Sequence, residues 1–544
     1  MGKITVFFKQ GCKHCQRAKA LLTSKNIPFE GIDITHNERQ RLLMIYLSDR
    51  QTVPQIFFNE QPIGGASELL ALAEQKAFDQ RLQTVLAAPT PTHFPPQDIS
   101  DRVLANTELP LSQVLNKATV DITKEPGFEP VIPVFQKQFG FMPHAFKYMA
   151  IWPEAFTTWS CAHLTLWRNA ASILGDFLTV VGFATSNAAD CSYCAAHATQ
   201  LSIDDGVKPE KIAQLYDFYR NPNITDDSVL PFTPFERSPI RIARAATLNR
   251  VTGKDTAVVH RLASARAGQA ISGVAAVTAC YGFLNRFNDT IGTEIEGKIN
   301  QTAMNELGDD WLMGKHETQD SADAEQSSNA PFSDSRDEIE PQRLQSFLDT
   351  NVSLMGEDMN AYLRKHLGFA PGWIQQIPFG DARQAIARFY VAMTETSQVS
   401  SDLKHLMNLV VTQENNHRYL ADQERFMAHR AALLKGIESE KSLQRIAICL
   451  DVSKGQEGGN AYFDAREQAA LKLAAAASYF PPFTPYALIK DLQHYFTPQQ
   501  VVELVMSVGV CGMAQRWTAV MPTAQTEAEI TEFLLTQIRQ TARP

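Results

Sequence analysis

The chain has 544 residues, 44% of them hydrophobic and 20% charged, with a formal charge of −9. That length exceeds a single core and predicts three or four domains of ordinary globular composition. The charge is confined to residues 306–342, where eleven acids stand against Lys315 and Arg336; the neutral remainder gives no case for nucleic acid or an anionic membrane as partner. No apolar run reaches a membrane span, Ile271–Leu284 being the nearest. Eight cysteines are too few for a disulfide scaffold here, and Met1–Phe8 lacks a signal-peptide layout. Together these predict a reducing, cytoplasmic setting in which paired cysteines do chemistry or bind metal.

Residues 1–78 read strand, helix, strand, helix, strand, strand, helix. Ile4–Phe8 is β-branched and aromatic, and helical spacing follows over Cys15–Leu22. Phe29–Ile34, Glu38–Leu47, Gln55–Phe58, Gln61–Ile63 and Ser67–Gln75 complete the pattern. A parallel start with an antiparallel hairpin finish predicts a thioredoxin-like βαβαββα domain. Cys12 falls where the first strand gives way to a helix, and a helix N-terminus favours thiolate over thiol. Lys9 and Lys13 add positive charge, and Cys15, one turn further in, reads as the more buried resolving thiol. Zinc would need four ligands, and no second CxxC lies in this stretch.

The runs Lys9-Gln10-Gly11-Cys12-x-x-Cys15, Thr52-Val53-Pro54-Gln55-Ile56-Phe57 and Ile63-Gly64-Gly65, followed by Ser67-Glu68-Leu69, resemble glutaredoxin over residues 1–78. The resemblance implies that Pro54 is a cis-proline facing the CxxC. It also implies that Lys9, Thr52, Val53, Pro54, Gly64, Gly65, Ala66 and Ser67 form the glutathione site. The backbone of Val53 would pair with the cysteinyl part, and the γ-glutamyl carboxylate would sit at the N-terminus of the last helix. Glutathione is then a co-substrate, with no cofactor bound. Two departures stand out: Lys13-His14 replaces the usual Pro-Tyr, and Ser67 stands where an aspartate often follows the glycines. A thioredoxin-type reductant is therefore the alternative donor.

Residues 79–118 read as a linker, marked by Pro89, Pro91, Pro95 and Pro96. Residues 119–305 then read as an all-α domain, with helices expected over Ala145–Trp152, Ala155–Trp167, Leu174–Ala189, Cys191–Leu201, Pro209–Arg220, Pro239–Asn249 and Ala270–Phe287. On such a helix Cys191, Cys194 and His197 share one stripe, so two thiols able to close a disulfide stand beside an imidazole able to move a proton. Cys161, Cys280, Cys449 and Cys511 are isolated on apolar stretches and read as packed core.

Gly140-Phe141-Met142-Pro143, Trp152-Pro153-Glu154, Asn187-x-x-Asp190-Cys191-Ser192-Tyr193-Cys194-x-x-His197 and Asn285-Arg286-Phe287 resemble the AhpD-like, carboxymuconolactone decarboxylase superfamily. The resemblance implies alkyl-hydroperoxidase or disulfide-reductase chemistry. Cys194 would be the attacking thiolate, Cys191 its resolving partner and His197 a proton-relay group. One departure concerns the glutamate that active peroxidases of the family carry about three turns before the first cysteine. Leu178-Thr179-Val180 offers no acid there, which leaves Asp176 and Asp190 as the nearest.

Residues 306–342, acidic and Ser-rich, read as a disordered tether. Beyond it, residues 343–544 echo the first helical domain. Gly368-Phe369-Ala370-Pro371 repeats Gly140–Pro143, and Phe463-Asp464 repeats Phe235-Glu236, both 228 residues on. Cys511–Trp517 repeats Tyr281–Phe287, 230 on. The expected architecture is therefore a thioredoxin-like domain followed by two all-α AhpD-like repeats, the second without thiols. Glu414 and His417, i and i+3, read as a polar face and not a metal site. A fused inactive copy would supply the surface of a second subunit, and a homo-oligomer through the helical domains is consistent with that.

The functional expectation is a glutathione-linked thiol–disulfide oxidoreductase. The first domain would re-reduce Cys191–Cys194, which act on a small hydroperoxide or a protein disulfide. The alternative is a glutaredoxin-type disulfide reductase whose helical part serves binding or assembly. No Gly-rich nucleotide loop is present.

Overall fold

A computed structural model describes residues 2–74, 78–88, 94–96, 99–115, 128–220, 226–248, 267–308, 311–317, 341–356, 358–456, 459–523 and 525–541. The chain divides into two compact units. The first is Met1–Leu109 with short later segments that include Glu317 and Pro485–Ala487, and the second is built from the rest.

In the first unit, β1 (Ile4–Phe8) buries four of its five side chains because it runs between two neighbouring strands. β2 (Glu30–Asp33) lies parallel to it, with Thr5 opposite Glu30. β3 (Gln55–Phe58) is antiparallel, with Val6 opposite Ile56, and β4 (Gln61–Gly64) pairs antiparallel with β3. The strand order is β2-β1-β3-β4. Asn59, at φ +57°, makes the β3–β4 turn, a conformation asparagine tolerates well. Ile4, Val6, Ile56 and Phe58 meet Ala18 and Leu22 of α1 (Lys13–Ser24) and Leu69 of α3 (Ala66–Glu74). With α2 (Glu38–Ser48), this is the thioredoxin-like βαβαββα order.

A fourth helix extends that core. Residues 79–118 read as linker, yet α4 (Phe78–Ala87) places Phe78, Leu82, Val85 and Leu86 against the sheet. Their spacing forms one apolar face, which outweighs the prolines that follow. Leu86 O accepts from Gly2 N at 2.9 Å, and α5 (Asp101–Ala105) is also helical. Pro89 and Pro91 fall outside the described residues, as do 318–340 of the stretch 306–342 expected to be a tether; its start is instead ordered, with Leu307, Trp311 and His316 buried because these apolar and aromatic side chains pack among the helices.

The second unit is large and helical, and residues 119–305 and 343–544 both contribute to it. Each half contains a helix, a left-handed residue and a second helix. In the first half these are Phe177–Ala188, Asp190 (φ +58°) and Ser192–Asp204; in the second, Ser401–Glu414, Asn416 (φ +55°) and Arg418–Leu434. Two long helices, Ala267–Ile291 and Pro498–Val520, pack against each other through glycines. A Cβ on Gly282 would lie 2.9 Å from Gly512 O, and one on Gly512 would lie 2.7 Å from Gly282 O. Arg286 and Arg516 both lie over the Phe480 ring, at 4.9 and 4.7 Å. Such reciprocal contacts between residues 230 apart are what a two-fold axis inside one chain produces. Cys161, Cys280, Cys449 and Cys511 are all buried. Glu414 pairs with Lys454 at 2.7 Å while His417 Nε2 meets Thr518 Oγ1 at 2.9 Å, so those two do not share a site.

Candidate active sites

The two CxxC motifs use one local device. Cys12 is the N-cap of α1, its Sγ accepting from Cys15 N at 3.1 Å, and Cys191 is the N-cap of Ser192–Asp204, accepting from Cys194 N at 3.4 Å. A sulfur there faces unsatisfied N–H groups and the positive end of the helix.

In the first unit Cys12 Sγ lies 2.6 Å from Cys15 Sγ and 3.7 Å from Val53 O. Cys12 is half-buried and Cys15 fully buried. Burial pushes the Cys15 thiol up to about 12, with the Cys12 sulfur adding to that and the Lys9 backbone opposing it. This makes Cys12 the accessible partner. The Val53–Pro54 bond is cis, and the position of a Cβ on Gly65 lies 3.5 Å from Pro54 O, so the two glycines border that turn. Thr52 is braced by Gln55 Nε2, which donates to Thr52 O at 3.0 Å. Ala66 and Ser67 open α3, where Glu68 Oε2 already accepts from Gly65 N at 3.0 Å and Glu68 pairs with Arg50. Glu317, from the acidic stretch, borders the same strip. Burial pushes its carboxyl up, while Arg50, the Thr52 hydroxyl and the Gln51 backbone pull it down.

In the second unit Cys191, Cys194 and His197 are brought together as their spacing predicts, but all three are buried. His197 Nδ1 lies 2.8 Å from Tyr193 O, and Nε2 lies 3.1 Å from Glu296 Oε2, close but not in line for a hydrogen bond. Both ring nitrogens thus face acceptors. Glu296, N-cap of Gly297–Leu307, also accepts from His144 N at 2.5 Å and Tyr193 Oη at 3.2 Å. Burial alone would raise its carboxyl. The charges of His144 and His197 and the hydrogen bonds outweigh that and hold it at about 2, against an ordinary 4.5. The carboxylate for the imidazole therefore comes from Glu296, and not from Asp176 or Asp190. Asp190 serves as the left-handed turn residue, its carboxyl pushed up by burial and by Asp289.

Behind Cys191 lie two further groups. Asp289 Oδ1 is 2.8 Å from His316 Nε2, and His316 Nδ1 is 2.7 Å from Thr293 O. Ligand atoms of Cys191, Asp289 and His316 lie within 4.8 Å of one another. A closed zinc site takes four ligands, and here the imidazole is already spent on the carboxylate and a carbonyl, so the arrangement suits a hydrogen-bonded relay better. Burial, the Cys194 sulfur and Asp289 all push the Cys191 thiol well up. Asn288 Nδ2 donates to Cys194 Sγ at 3.5 Å. Cys191 thus holds its proton, and Cys194 is the sulfur that faces the slot.

Cys194 and His197 line a narrow slot, part of it open to solvent, with Phe139, Trp159, Trp167 and Tyr281 among its walls. Sequence reading missed Glu296, Asp289, His316, Asn288 and His144. None has a spacing signal relative to the motif, because each arrives by tertiary packing.

The second half repeats the hub. Glu527 Oε1 accepts from Gly372 N at 2.7 Å, Tyr419 Oη at 2.6 Å and Gln423 Nε2 at 2.8 Å. Tyr419 and Gln423 stand 226 residues beyond Tyr193 and His197, while His417 and Leu420 stand where Cys191 and Cys194 would be.

A sequence model of the family described as glutaredoxin matches residues 4–63. Glutaredoxin 3 of Escherichia coli K12 is 42% identical over 83 residues, 15% of this chain and all of that protein. A probable glutaredoxin of Synechocystis is 37% identical over 83 residues, 15% of this chain and 76% of that protein. Glutaredoxin 1 of Rickettsia typhi is 31% identical over 83 residues, again 15% of this chain and 80% of that protein. Among solved structures, the apo debrominase Bmp8 aligns with 35% of this chain and 95% of its own, at 22% identity and a TM-score of 0.29. A likeness that loose carries nothing further.

Proposed function

We propose a two-site thiol relay for this chain, which belongs to the glutaredoxin family through its first domain. Glutathione reduces Cys12–Cys15, that dithiol re-reduces Cys191–Cys194, and Cys194 reduces a small hydroperoxide. The observation that carries the reading is the second dithiol itself: a sulfur hydrogen-bonded by Asn288, beside the His197–Glu296 pair, at the wall of an apolar slot.

In the chemical step the Cys194 thiolate attacks the terminal peroxide oxygen and the O–O bond breaks. The alkoxide leaves as an alcohol with a proton passed by His197. Cys191 sulfur then displaces hydroxide from the sulfenic acid, and its thiol proton, accepted through Asp289, completes a water. The result is the Cys191–Cys194 disulfide. Two thiols of the donor restore it, so two glutathiones and one hydroperoxide give glutathione disulfide, an alcohol and water.

Burial favours a second reading of the donor. Cys191 is 1% and Cys194 3% exposed, so a protein-sized thiol must wait for the start of Ser192–Asp204 to open, whereas glutathione is small. The same burial favours a small oxidant over a protein disulfide. The test follows NADPH consumption with glutathione, glutathione reductase and an alkyl hydroperoxide. Cys12→Ser is expected to slow turnover about a hundredfold. Undiminished turnover would remove the first domain from the pathway. In a Cys15→Ser protein the relay must also leave a trapped Cys12–Cys191 or Cys12–Cys194 disulfide.

A further inference from the structure

The slot beside Cys194 is lined by a histidine that the chemistry above does not use. His163 lies on Pro153–Leu174, stacked between Trp159 at 4.8 Å (18°) and Trp167 at 5.4 Å (28°), one turn to either side. It is 4% exposed, lines the slot, and neither ring nitrogen has a hydrogen-bond partner. Burial holds its ring down at about 4, so it is neutral near pH 7, with one N–H donor and one bare nitrogen. Leaving such groups unpaired is unfavourable, and a bound molecule that pairs them relieves it.

The walls narrow the choice of molecule. Trp159, His163 and Trp167 present a ladder of stacked rings along one helix, and Phe139 and Tyr281 contribute rings to the same slot. The stacked faces of that ladder are spent on one another, and a slot walled by ring edges favours an aromatic ring packed edge-to-face over a charged peptide. Its one unpartnered imidazole selects a single hydroxyl-like oxygen.

We propose that the slot is an aryl-binding site, that the substrate is an aromatic hydroperoxide, and that His163 hydrogen-bonds its oxygen while the ring packs edge-to-face within the slot. This rests on the hydroperoxide reading for turnover, though binding can be measured without it. The reaction is the balanced step above: the aryl hydroperoxide becomes the aryl alcohol and the two thiols a disulfide.

Two measurements on the full chain separate the claims. Binding is read by tryptophan fluorescence with 2-phenyl-2-propanol, which cannot be reduced, and with tert-butanol as control. The aryl alcohol should bind about tenfold tighter, and His163→Phe should lose about tenfold of that affinity while keeping the parent's circular dichroism. Turnover is read with cumene and tert-butyl hydroperoxides. The aryl substrate should show about tenfold higher kcat/KM, and His163→Phe should raise its KM more than it lowers kcat. Aryl binding without any turnover would leave the slot assignment standing and remove the peroxidase reading. Turnover with no aryl preference, and no aryl binding in the parent, would overturn the slot assignment, whatever His163→Phe does.

Discussion

The two halves of the helical unit hold a carboxylate in the same place and surround it differently. Glu296 accepts from the His144 backbone and the Tyr193 hydroxyl and faces His197; Glu527 accepts from the Gly372 backbone and the Tyr419 hydroxyl, with Gln423 as its third donor. In both, an acid, buried in the first half and half-buried in the second, ties a helix start to the tyrosine of a second helix. That tie is an element of the fold, because a carboxylate with several donors is stable whether or not anything reacts beside it. The halves differ at three positions that the proposed chemistry uses: Cys191 against His417, Cys194 against Leu420, and His197 against Gln423. A glutamine can satisfy the acid but cannot pass a proton, and a leucine fills the sulfur's place without reacting.

The largest effect should come from the sulfur. Cys194→Ser is expected to lower hydroperoxide turnover by about a thousandfold or more, since a neutral hydroxyl replaces the nucleophile. Placing His417→Cys and Leu420→Cys in the second half of the Cys194→Ser protein should not restore it. The installed pair would lack both the imidazole and an equivalent of Asn288, whose place Thr518 takes. The NADPH-coupled assay decides this, and restored turnover would mean that the hub alone makes a site.

The acids should separate next. Glu296→Gln is expected to cost turnover about a hundredfold, as His197 loses the carboxylate that faces its Nε2. Glu527→Gln should leave turnover unchanged. Acid gives a second readout for Glu296. A carboxyl held at about 2, against an ordinary 4.5, contributes stability above pH 4.5 that is lost as pH falls toward 2. That contribution is on the order of 3 kcal/mol. Urea midpoints at pH 4.5, 3.5 and 2.5 should therefore fall less steeply for Glu296→Gln than for the parent. Equal slopes would mean that Glu296 carries no such linkage.

What the sequence made readable was whatever is local. Cys12 and Cys15, or Cys191, Cys194 and His197, are placed on a helix start by spacing alone, and the strand pattern of residues 4–64 specifies its sheet. The duplication was readable because landmarks such as Gly140 and Gly368 recur at a near-constant distance. Glu296, Asp289 and His316 were not readable, because no short-range pattern links them to the thiols and only the packing of distant helix ends does. The acid sought three turns before Cys191 is supplied instead by a helix N-cap beyond Ala267–Ile291. The same limit hid α4, where a four-residue apolar face sits next to prolines that signal a linker.

The smallest change tests the equivalence of the halves most closely. Gln423 gives one donor to Glu527, and its own carbonyl oxygen has no hydrogen-bond partner. Gln423→His would place one ring nitrogen toward the Tyr419 carbonyl and the other toward Glu527, as His197 does with Tyr193 and Glu296. A histidine that gains a carboxylate partner titrates higher when folded than its unfolded value of about 6.5. Its contribution is therefore complete below that value and lost as pH rises through the folded one. The variant should gain about 1 kcal/mol over the parent at pH 5.5 and little at pH 9, read from paired urea midpoints. It should consume no hydroperoxide when Cys194 is also Ser. If its offset from the parent were the same at both pH values, Glu527 would not be holding an imidazolium, and the two hubs would share a shape without sharing an electrostatic environment.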